Sequence, residues 1–232
     1  TAQGNQDGND IGDFYYTPPT GFLALCTSNL PDVAVVPSEH FNTVLYTGNE
    51  STNAITGVGF QPDFTWIKDR GTLNNTYNYG HALYDAIRGV TKHLRSNTTD
   101  AEGTESASLT AFGADGFTLG SHVGQNENNE GFVAWNWKAN GSGSSNTDGT
   151  INTTATSANV DAGFSIIKHT GNATANATIG HGLSKAPELV ISKVTTHSSH
   201  IWSIFVKELG NQNHLAFTTA ASHNEWEGHE GT

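Results

Sequence analysis

An internal repeat is the feature of this 232-residue chain that most constrains its fold. Residues 41–68 read FNTVLYTGNESTNAITGVGFQPDFTWIK, and residues 164–193 read FSIIKHTGNATANATIGHGLSKAPELVISK. The shared positions are Phe41/Phe164, Thr47/Thr170, Gly48/Gly171, Asn49/Asn172, Asn53/Asn176, Ala54/Ala177, Gly57/Gly180, Gly59/Gly182, Pro62/Pro187 and Lys68/Lys193. The similarity continues weakly through LYDAIRG and IFVKELG, and then through HLRSNTT and HLAFTT. Repetition on this scale predicts two tandem copies of one structural unit.

Each copy carries the pattern of short β-strands. Residues 64–68 and 189–193 alternate with period two, which predicts strands with Phe64 and Trp66 on a core-facing side. Residues 132–137 alternate in the same way, and residues 81–89 fit either a strand or one helical turn. Short strands at roughly ten-residue spacing, separated by turn residues, indicate an all-β chain of tandem antiparallel β-sandwich domains. We expect Trp66 and Trp135 to be packing residues.

Composition places the predicted boundaries. Residues 1–40 differ from the repeats in composition. They predict lead-in strands or the end of another β domain. Residues 41–139 form the first repeat, and residues 140–150, NGSGSSNTDGT, predict a flexible linker because they cannot bury apolar surface. Residues 151–232 form the second repeat. Since the second copy has no equivalent of the closing stretch EGFVAWNWKA, we expect it to be incomplete at its C-terminus and the natural polypeptide to continue.

Charge and hydropathy argue against several classes of partner. The chain has 10 basic and 22 acidic residues, a formal net charge of −12, whereas nucleic-acid binders need clustered Lys and Arg. No apolar run approaches the roughly 20 residues that span a bilayer. The residues shared by the two copies are mainly turn glycines, small residues and apolar residues, and no nucleophile, base and orienting group recur together. We therefore predict neither nucleic acid nor membrane as a partner, and no enzymatic activity.

Candidate binding residues lie in the second copy. Trp202 follows a polar stretch at a position where the first copy has no tryptophan, so we predict it as an exposed ligand contact. His197 and His200 precede it and complete this candidate site. A zinc site at these two histidines would need a third ligand such as His181, and a polar hairpin tip is the preferred interpretation.

The N-terminal stretch GNQDGNDIGD predicts a candidate calcium site. Its oxygen donors are Asp7, Asn9, Asp10 and Asp13, and calcium prefers such ligands, although the EF-hand spacing is absent. An acidic, solvated turn is the alternative. We expect no other cofactor.

A pair of carboxylates near the C-terminus offers the one enzymatic alternative. Glu225 and Glu227 have the i, i+2 spacing of paired glycosidase carboxylates. However, their neighbours are polar and would not raise the pKa of an acid. A solvated loop is therefore the preferred interpretation of this stretch.

The segments NAITGVGFQPDFTWIKDR, SLTAFGADGFTLGS, GFVAWNWKA and TGNATANATIGHGLSKAPELVISK resemble a domain of structural and tail-fibre-like proteins of marine bacteriophages, including cyanophages. The leading GDFYYTPPTGFLALCTSNLP is similar to the closing strands of a SPRY-like domain. This resemblance implies a concanavalin-A-like or SPRY-like jelly roll on the virion surface, outside the cell, with a structural or adhesive role. The implied partners are other virion proteins, copies of the chain itself and host surface glycan.

Overall fold

The computed structural model describes residues 2–30, 35–71, 79–210, 213–217 and 224–225. The chain divides into two compact units, residues 1–36 and residues 37–232. Among the described residues, the only α-helix is the single turn α1 (Val123–Asn126), so no helix is long enough to cross a membrane. Short 3₁₀ turns lie at Thr27–Asn29, Pro37–Glu39 and Lys207–Leu209. The protein is therefore all-β, as its composition predicts.

All paired strands are antiparallel within the described residues. The first nine strands are β1 (Phe41–Thr47), β2 (Asn53–Ile55), β3 (Phe64–Asp69), β4 (Ala82–Asp85), β5 (Lys92–His93), β6 (Gly103–Thr104), β7 (Leu109–Gly113), β8 (Gly116–Leu119) and β9 (Gly131–Trp137). The remaining six are β10 (Ala155–Asn159), β11 (Phe164–Lys168), β12 (Leu189–Ser192), β13 (Ser203–Val206), β14 (Asn213–His214) and β15 (Asn224–Glu225). The strands at residues 64–68, 132–137 and 189–192 are confirmed, and residues 82–85 are a strand.

In the N-terminal unit, the buried carboxylate of Asp7 organises the chain. One of its oxygens accepts hydrogen bonds from the backbone N–H groups of Asn9 (2.9 Å) and Ile11 (3.1 Å). The other accepts from the N–H of Ala24 (2.7 Å) and the side-chain amide of Asn29 (2.7 Å). A single anion therefore joins the first loop to residues 24–29, which lie far along the chain.

The main core lies on one face of a four-stranded sheet with strand order β1-β9-β3-β4. We call this its inner face. A three-stranded sheet, β2-β8-β7, contributes to the same buried cluster. The cluster comprises Ile55, Ile67, Ala82, Tyr84, Leu109, Phe117, Leu119, Phe132 and Ala134. Since both sheets contribute, this cluster is the apolar interior that they share.

The inner face includes Thr65 and Ile67, so the main core lies opposite the side predicted from the alternation of β3. Phe64 and Trp66 lie on the other side, which we call the outer face. There they are half-buried against a second cluster of Leu83, Leu94 and Trp202. Strand β4 is buried along its whole length because it contacts both clusters. The chain therefore packs apolar residues on both faces of this sheet.

The two repeats share strand pairing. In the first copy, β3 pairs with β4 so that Trp66 faces Leu83, and in the second, β12 pairs with β13 so that Ile191 faces Ile204. The next strand follows in the same register, since Leu83 bridges to Leu94 and Ile204 to Leu215. The fourth strands also correspond, since β5 pairs with β6 and β14 with β15. Equivalent residues thus form the same four-strand pattern twice.

The shared lysine has the same structural role in both copies. Lys68 Nζ donates to the carbonyl of Asp69 (2.9 Å) and Lys193 Nζ donates to that of Val194 (2.7 Å), in each case the next residue. Each ammonium also reaches a carbonyl in the following loop, that of Tyr79 (2.7 Å) or His197 (3.5 Å). The repeat therefore keeps this lysine to hold the loop after the strand.

Residues 140–150, the predicted linker, make hydrogen bonds with residues of the second repeat. The backbones of Ser144 and Thr156 exchange two hydrogen bonds of 3.2 and 2.7 Å, and Asn146 N–H donates to Thr153 Oγ1 (2.8 Å). A Cβ at Gly143 would collide with the carbonyl of Thr156, and one at Gly149 with that of Thr178. These glycines permit close backbone approach, so this segment is bound to the second repeat.

Acid should loosen the N-terminal unit through Asp7. The hydrogen bond from Ala24, with those from Asn9, Asn29 and Ile11, lowers the pKa of Asp7 from 3.8 to about 2, although burial opposes the shift. Because the folded pKa lies below the unfolded one, this stabilisation is complete above pH ~4 and is lost as the pH falls toward ~2. The amide resonances of Ile11 and Ala24 should titrate with a midpoint near 2 in NMR spectra. A midpoint at the ordinary value would contradict the hydrogen-bonded arrangement, and Asp7→Asn should abolish the transition.

Trp202→Ala should destabilise the larger unit by about 3–5 kcal/mol, because it opens a cavity in the second cluster. Trp202→Phe should lower the free energy of unfolding by less than Trp202→Ala does. The lost indole hydrogen bond accounts for about 1 kcal/mol, and the smaller ring adds to this loss. His200→Ala, at an exposed neighbouring position, is the control and should leave stability unchanged. Chemical denaturation followed by fluorescence measures all three, and equal effects of Trp202→Ala and His200→Ala would show that the second cluster contributes no stability.

Candidate functional site

The outer face of the four-stranded sheet carries a continuous group of aromatic residues. Strand register places Trp137 between Phe41 and Phe64, and Trp135 between Thr43 and Trp66. The rings are in contact distance, with centroids 4.8 Å apart for Phe41 and Trp137, and 6.3 Å apart for Trp135 and Trp66. Aromatic pairs at these separations stabilise each other and form a flat apolar surface.

The second copy covers part of this surface. Phe164 stacks on Trp137 with ring centroids 6.1 Å apart and planes 22° apart. Phe217 meets Trp66 edge-on at 5.6 Å and Trp202 at 5.9 Å. The half of the outer face formed by β3 and β4 is therefore internal to the larger unit.

The rest of the outer face, on β1 and the part of β9 before Trp137, is open. Leu45 is 63 % exposed and Phe41 40 % exposed, and Thr43 is also exposed between them. Val133 and Trp135 lie beside them on β9 and are half-buried. We call these five residues the open aromatic face. An apolar surface of this kind beside polar groups is typical of a binding site.

A cavity of about 220 Å³ adjoins the open aromatic face, where β1 and β9 end beside Thr47 and Gly131. Leu45, Arg70 and Asn129 also line it. Arg70 is placed by its backbone N–H, which donates to the carbonyl of Gly131 (2.8 Å). Arginine and asparagine side chains supply several hydrogen-bond donors at a fixed geometry.

The open aromatic face and the cavity are adjacent, since Leu45 belongs to both. Trp135 and Gly131 are four residues apart on one strand, which corresponds to about 13 Å. The indole offers a flat apolar platform at one end, and Arg70 and Asn129 offer polar contacts at the other. Such an arrangement suits a flat, hydroxyl-rich ligand that is longer than one ring, because stacking and hydrogen bonding are both available.

Trp202 is not the exposed contact that the sequence predicts. It is only 4 % exposed, and its indole N–H donates to the backbone carbonyl of Arg95 (2.8 Å). By repeat register, Trp202 stands where the first copy has His81, which accepts a hydrogen bond from Trp66 Nε1 (2.8 Å). The extra tryptophan therefore fills space between the two copies.

His197 and His200 are exposed, with their ring centroids 5.9 Å apart. His181, the third candidate ligand, accepts a hydrogen bond at Nδ1 from the N–H of Leu183 (3.0 Å). In the part of the chain that the structure describes, no three His, Cys, Asp or Glu side chains are grouped to hold a metal ion.

The calcium candidates have other partners in the N-terminal unit. The four N–H groups directed at Asp7 occupy the lone pairs that a cation would need, and Asp13 accepts from the N–H of Gly4 (2.7 Å). The side-chain amide of Asn9 donates to Asn29 (2.8 Å), and Asp10 is an exposed turn residue with φ 61°. The structure therefore does not bring these four residues together as a ligand set.

A second, larger cavity of about 370 Å³ lies beside α1 and is lined by Arg95, His122 and Gln125 among others. Gln125 Oε1 accepts from Tyr84 Oη (3.0 Å) and lies 3.1 Å from His122 Nδ1, while its backbone carbonyl accepts from Tyr46 Oη (2.7 Å). Burial raises the pKa of Tyr84 to about 12 and that of Tyr46 well above its usual value. Both phenols are neutral donors that fix α1 in place.

The structure does not describe the side chains of Glu225 and Glu227, the two carboxylates of the enzymatic alternative. Glu225 lies on β15, where only the backbone is described, and Glu227 lies outside the described residues. The paired-carboxylate prediction therefore stays a prediction.

The sequence predicted Trp135 as a packing residue, whereas the structure places it half-buried on the outer face. The available signal was the alternation of residues 132–137, which places Trp135 opposite the buried Phe132 and Ala134. Arg70 and Asn129 had no comparable signal, since they are distant in sequence and become neighbours only through strand pairing.

Comparison with known proteins identifies one family. No curated protein and no solved structure matches this chain. Residues 36–230 match a family described as a domain of unknown function, DUF7483, a range that includes the first copy of the repeat and nearly all of the second. Because this match covers most of the sequence, the chain belongs to the DUF7483 family.

Proposed function

We propose that this protein is a non-enzymatic structural component of a virion, such as a tail fibre or capsid appendage, that binds host surface glycan weakly through its open aromatic face. The observation that carries the glycan part is the half-buried indole of Trp135 on the open aromatic face, which adjoins the cavity at Arg70 and Asn129 through Leu45. The virion part rests on the resemblance of four sequence segments to marine phage structural proteins.

The surface chemistry favours neutral sugars. A formal net charge of −12 repels acidic polymers, whereas the indole of Trp135 and the hydrogen-bond donors of Arg70 and Asn129 suit the rings and hydroxyl groups of neutral sugars. The cavity near Arg70 is small, about 220 Å³, so the contact covers one or two sugar rings. Weak contacts of this size become effective when many copies act together on a particle.

We also propose that the two sheets around the main core form a β-sandwich of concanavalin-A-like, jelly-roll type. The support is that nine buried residues from both sheets form one cluster. In this arrangement the outer face of one sheet is available for contacts. Its part on β3 and β4 packs against the second copy, and its part on β1 and β9 binds the ligand.

A purely architectural role is the first alternative. Leu45 and Phe41 would then contact another virion protein or another copy of the chain, since exposed apolar residues also suit protein interfaces. Stable co-purification with capsid or tail proteins, together with no binding to glycans, would favour this role. The other alternative, a depolymerase acting through Glu225 and Glu227, would release reducing ends from a polysaccharide.

Trp135→Ala should weaken glycan binding at least about tenfold, which corresponds to roughly 1.4 kcal/mol of lost stacking. The probes are neutral hexasaccharides of β-1,3-glucan, β-1,4-glucan, xylan and mannan, with binding followed by glycan array and calorimetry. Trp135→Phe should retain part of the affinity because a flat ring remains. Arg70→Gln should weaken binding without changing the thermal midpoint.

His200→Ala is the matched control, since His200 is exposed and is not part of the open aromatic face. Equal affinity of Trp135→Ala and the unaltered protein would rule out this face as the glycan site. Release of sugar during incubation, lost on Glu225→Gln or Glu227→Gln, would replace the binding role with the depolymerase alternative.

A further inference from the structure

In the part of the chain that the structure describes, strand β12 has an apolar edge with no strand paired to it. Within the described residues it pairs with β13 alone, in a two-stranded sheet. Leu189, Val190 and Ile191 are 56, 44 and 42 % exposed, so both faces of the strand are accessible. Soluble proteins usually protect such edges with charges, proline or a bulge, because an unpaired edge accepts a further strand. Strand β12 has no charged residue.

The first copy shows what lies on the equivalent edge. Leu189 and Ile191 correspond to Phe64 and Trp66 of β3, and there β9 pairs with β3 along its full length. Strand β9 also pairs with β1 on its other side, whereas β11, the counterpart of β1, pairs only with β10 in the described residues. The position that β9 occupies in the first copy therefore has no counterpart in the described second copy.

The backbone of β12 is oriented for the same pairing. Ala86 N–H donates to the carbonyl of Asp63 (2.8 Å) at the end of the β3–β4 ladder, and Lys207 N–H donates to that of Glu188 (2.9 Å) in the second copy. The hydrogen bonds from β12 to β13 thus involve the residues equivalent to those that join β3 to β4. Since hydrogen bonds alternate between the two sides of a strand, Leu189 and Ile191 direct their N–H and C=O groups to the free side.

The lysine beyond this edge does not protect it. The ammonium group of Lys193 donates to the carbonyl of Val194 at 2.7 Å, so it is held against the following loop. The nearest ion pair, between Lys207 and Glu188 at 3.2 Å, lies at the end of the strand. The apolar stretch of the edge is therefore accessible.

We infer that β12 is a docking edge for one more antiparallel polypeptide strand, with the sequence pattern of β9, the closing strand of this repeat. Its register follows from the first copy and places Ile191 opposite the residue equivalent to Trp135. This pairing would cover Leu189 and Ile191 as β9 covers Phe64 and Trp66. The inference is independent of the glycan site, which lies on β1 and β9.

The test uses the full chain and a peptide with the sequence of residues 131–138, GFVAWNWK. Binding should slow hydrogen exchange of the Leu189 and Ile191 amides in NMR spectra and leave those of Phe64 and Trp66 unchanged. A peptide of the same composition in scrambled order is the control for apolar or charge-driven association. Absence of binding by the ordered peptide would overturn the inference.

Two N-methylated peptides test the register. In the first copy, Arg70 N–H donates to Gly131 O, whereas Gly48 N–H donates to Glu130 O, so odd-numbered residues of β9 bond toward β3 and even-numbered residues toward β1. N-methylation of the residue equivalent to Trp135 should abolish binding to β12, and N-methylation of the one equivalent to Ala134 should not. Equal effects of the two would contradict the proposed pairing.

Substitutions in the protein provide a further test. Ile191→Lys places a charge on the edge and should abolish peptide binding, whereas Val194→Lys, at a similarly exposed position just after the strand, should not. Sedimentation velocity without peptide tests whether a second copy of the chain occupies the edge of β12. A dimer that forms with concentration and protects the same amides would show that a second copy of the chain takes the edge, and would overturn the inference.

Discussion

The pairing of β9 with two strands at once is the interaction on which the larger unit depends. Strand β9 is joined to β1 on one side and to β3 on the other, although the residues it joins are far apart in sequence. Phe132 and Ala134 extend into the main core from one face of this strand, and Trp135 and Trp137 lie on the opposite face. One strand therefore fixes the sheet, the core and the aromatic outer face together.

The outer face explains how two similar copies form one unit. In an antiparallel sheet with one buried face, the other usually carries polar residues. Here Phe64, Trp66 and Leu83 occupy it, and Phe164, Trp202 and Phe217 of the second copy pack against them. This packing leaves the part on β1 and β9 open, which creates the candidate site.

Polar groups in this protein mostly hold loops in place. Asp7 collects four N–H groups, Lys68 and Lys193 bind carbonyls of the loops after their strands, and Gln125 is held by two buried tyrosines. Each is a buried or half-buried polar group with its hydrogen bonds satisfied, as packing in a low-dielectric interior requires. Asp7, which the sequence predicts as a calcium ligand, and the lysines shared by the two copies thus have structural partners.

The sequence by itself determined the all-β class, the strands at residues 64–68, 132–137 and 189–192, and the repeat, because period-two alternation and turn residues are local properties. It did not determine which face of β3 carries the main core, since Phe64 and Trp66 are as apolar as the residues that fill it. The burial of Trp202, the hydrogen-bonded course of residues 140–150 and the position of Arg70 and Asn129 beside Gly131, at the start of the strand that carries Trp135, were decided by tertiary structure. Each depends on contacts between residues far apart in the chain, and strand pairing alone brings such residues together.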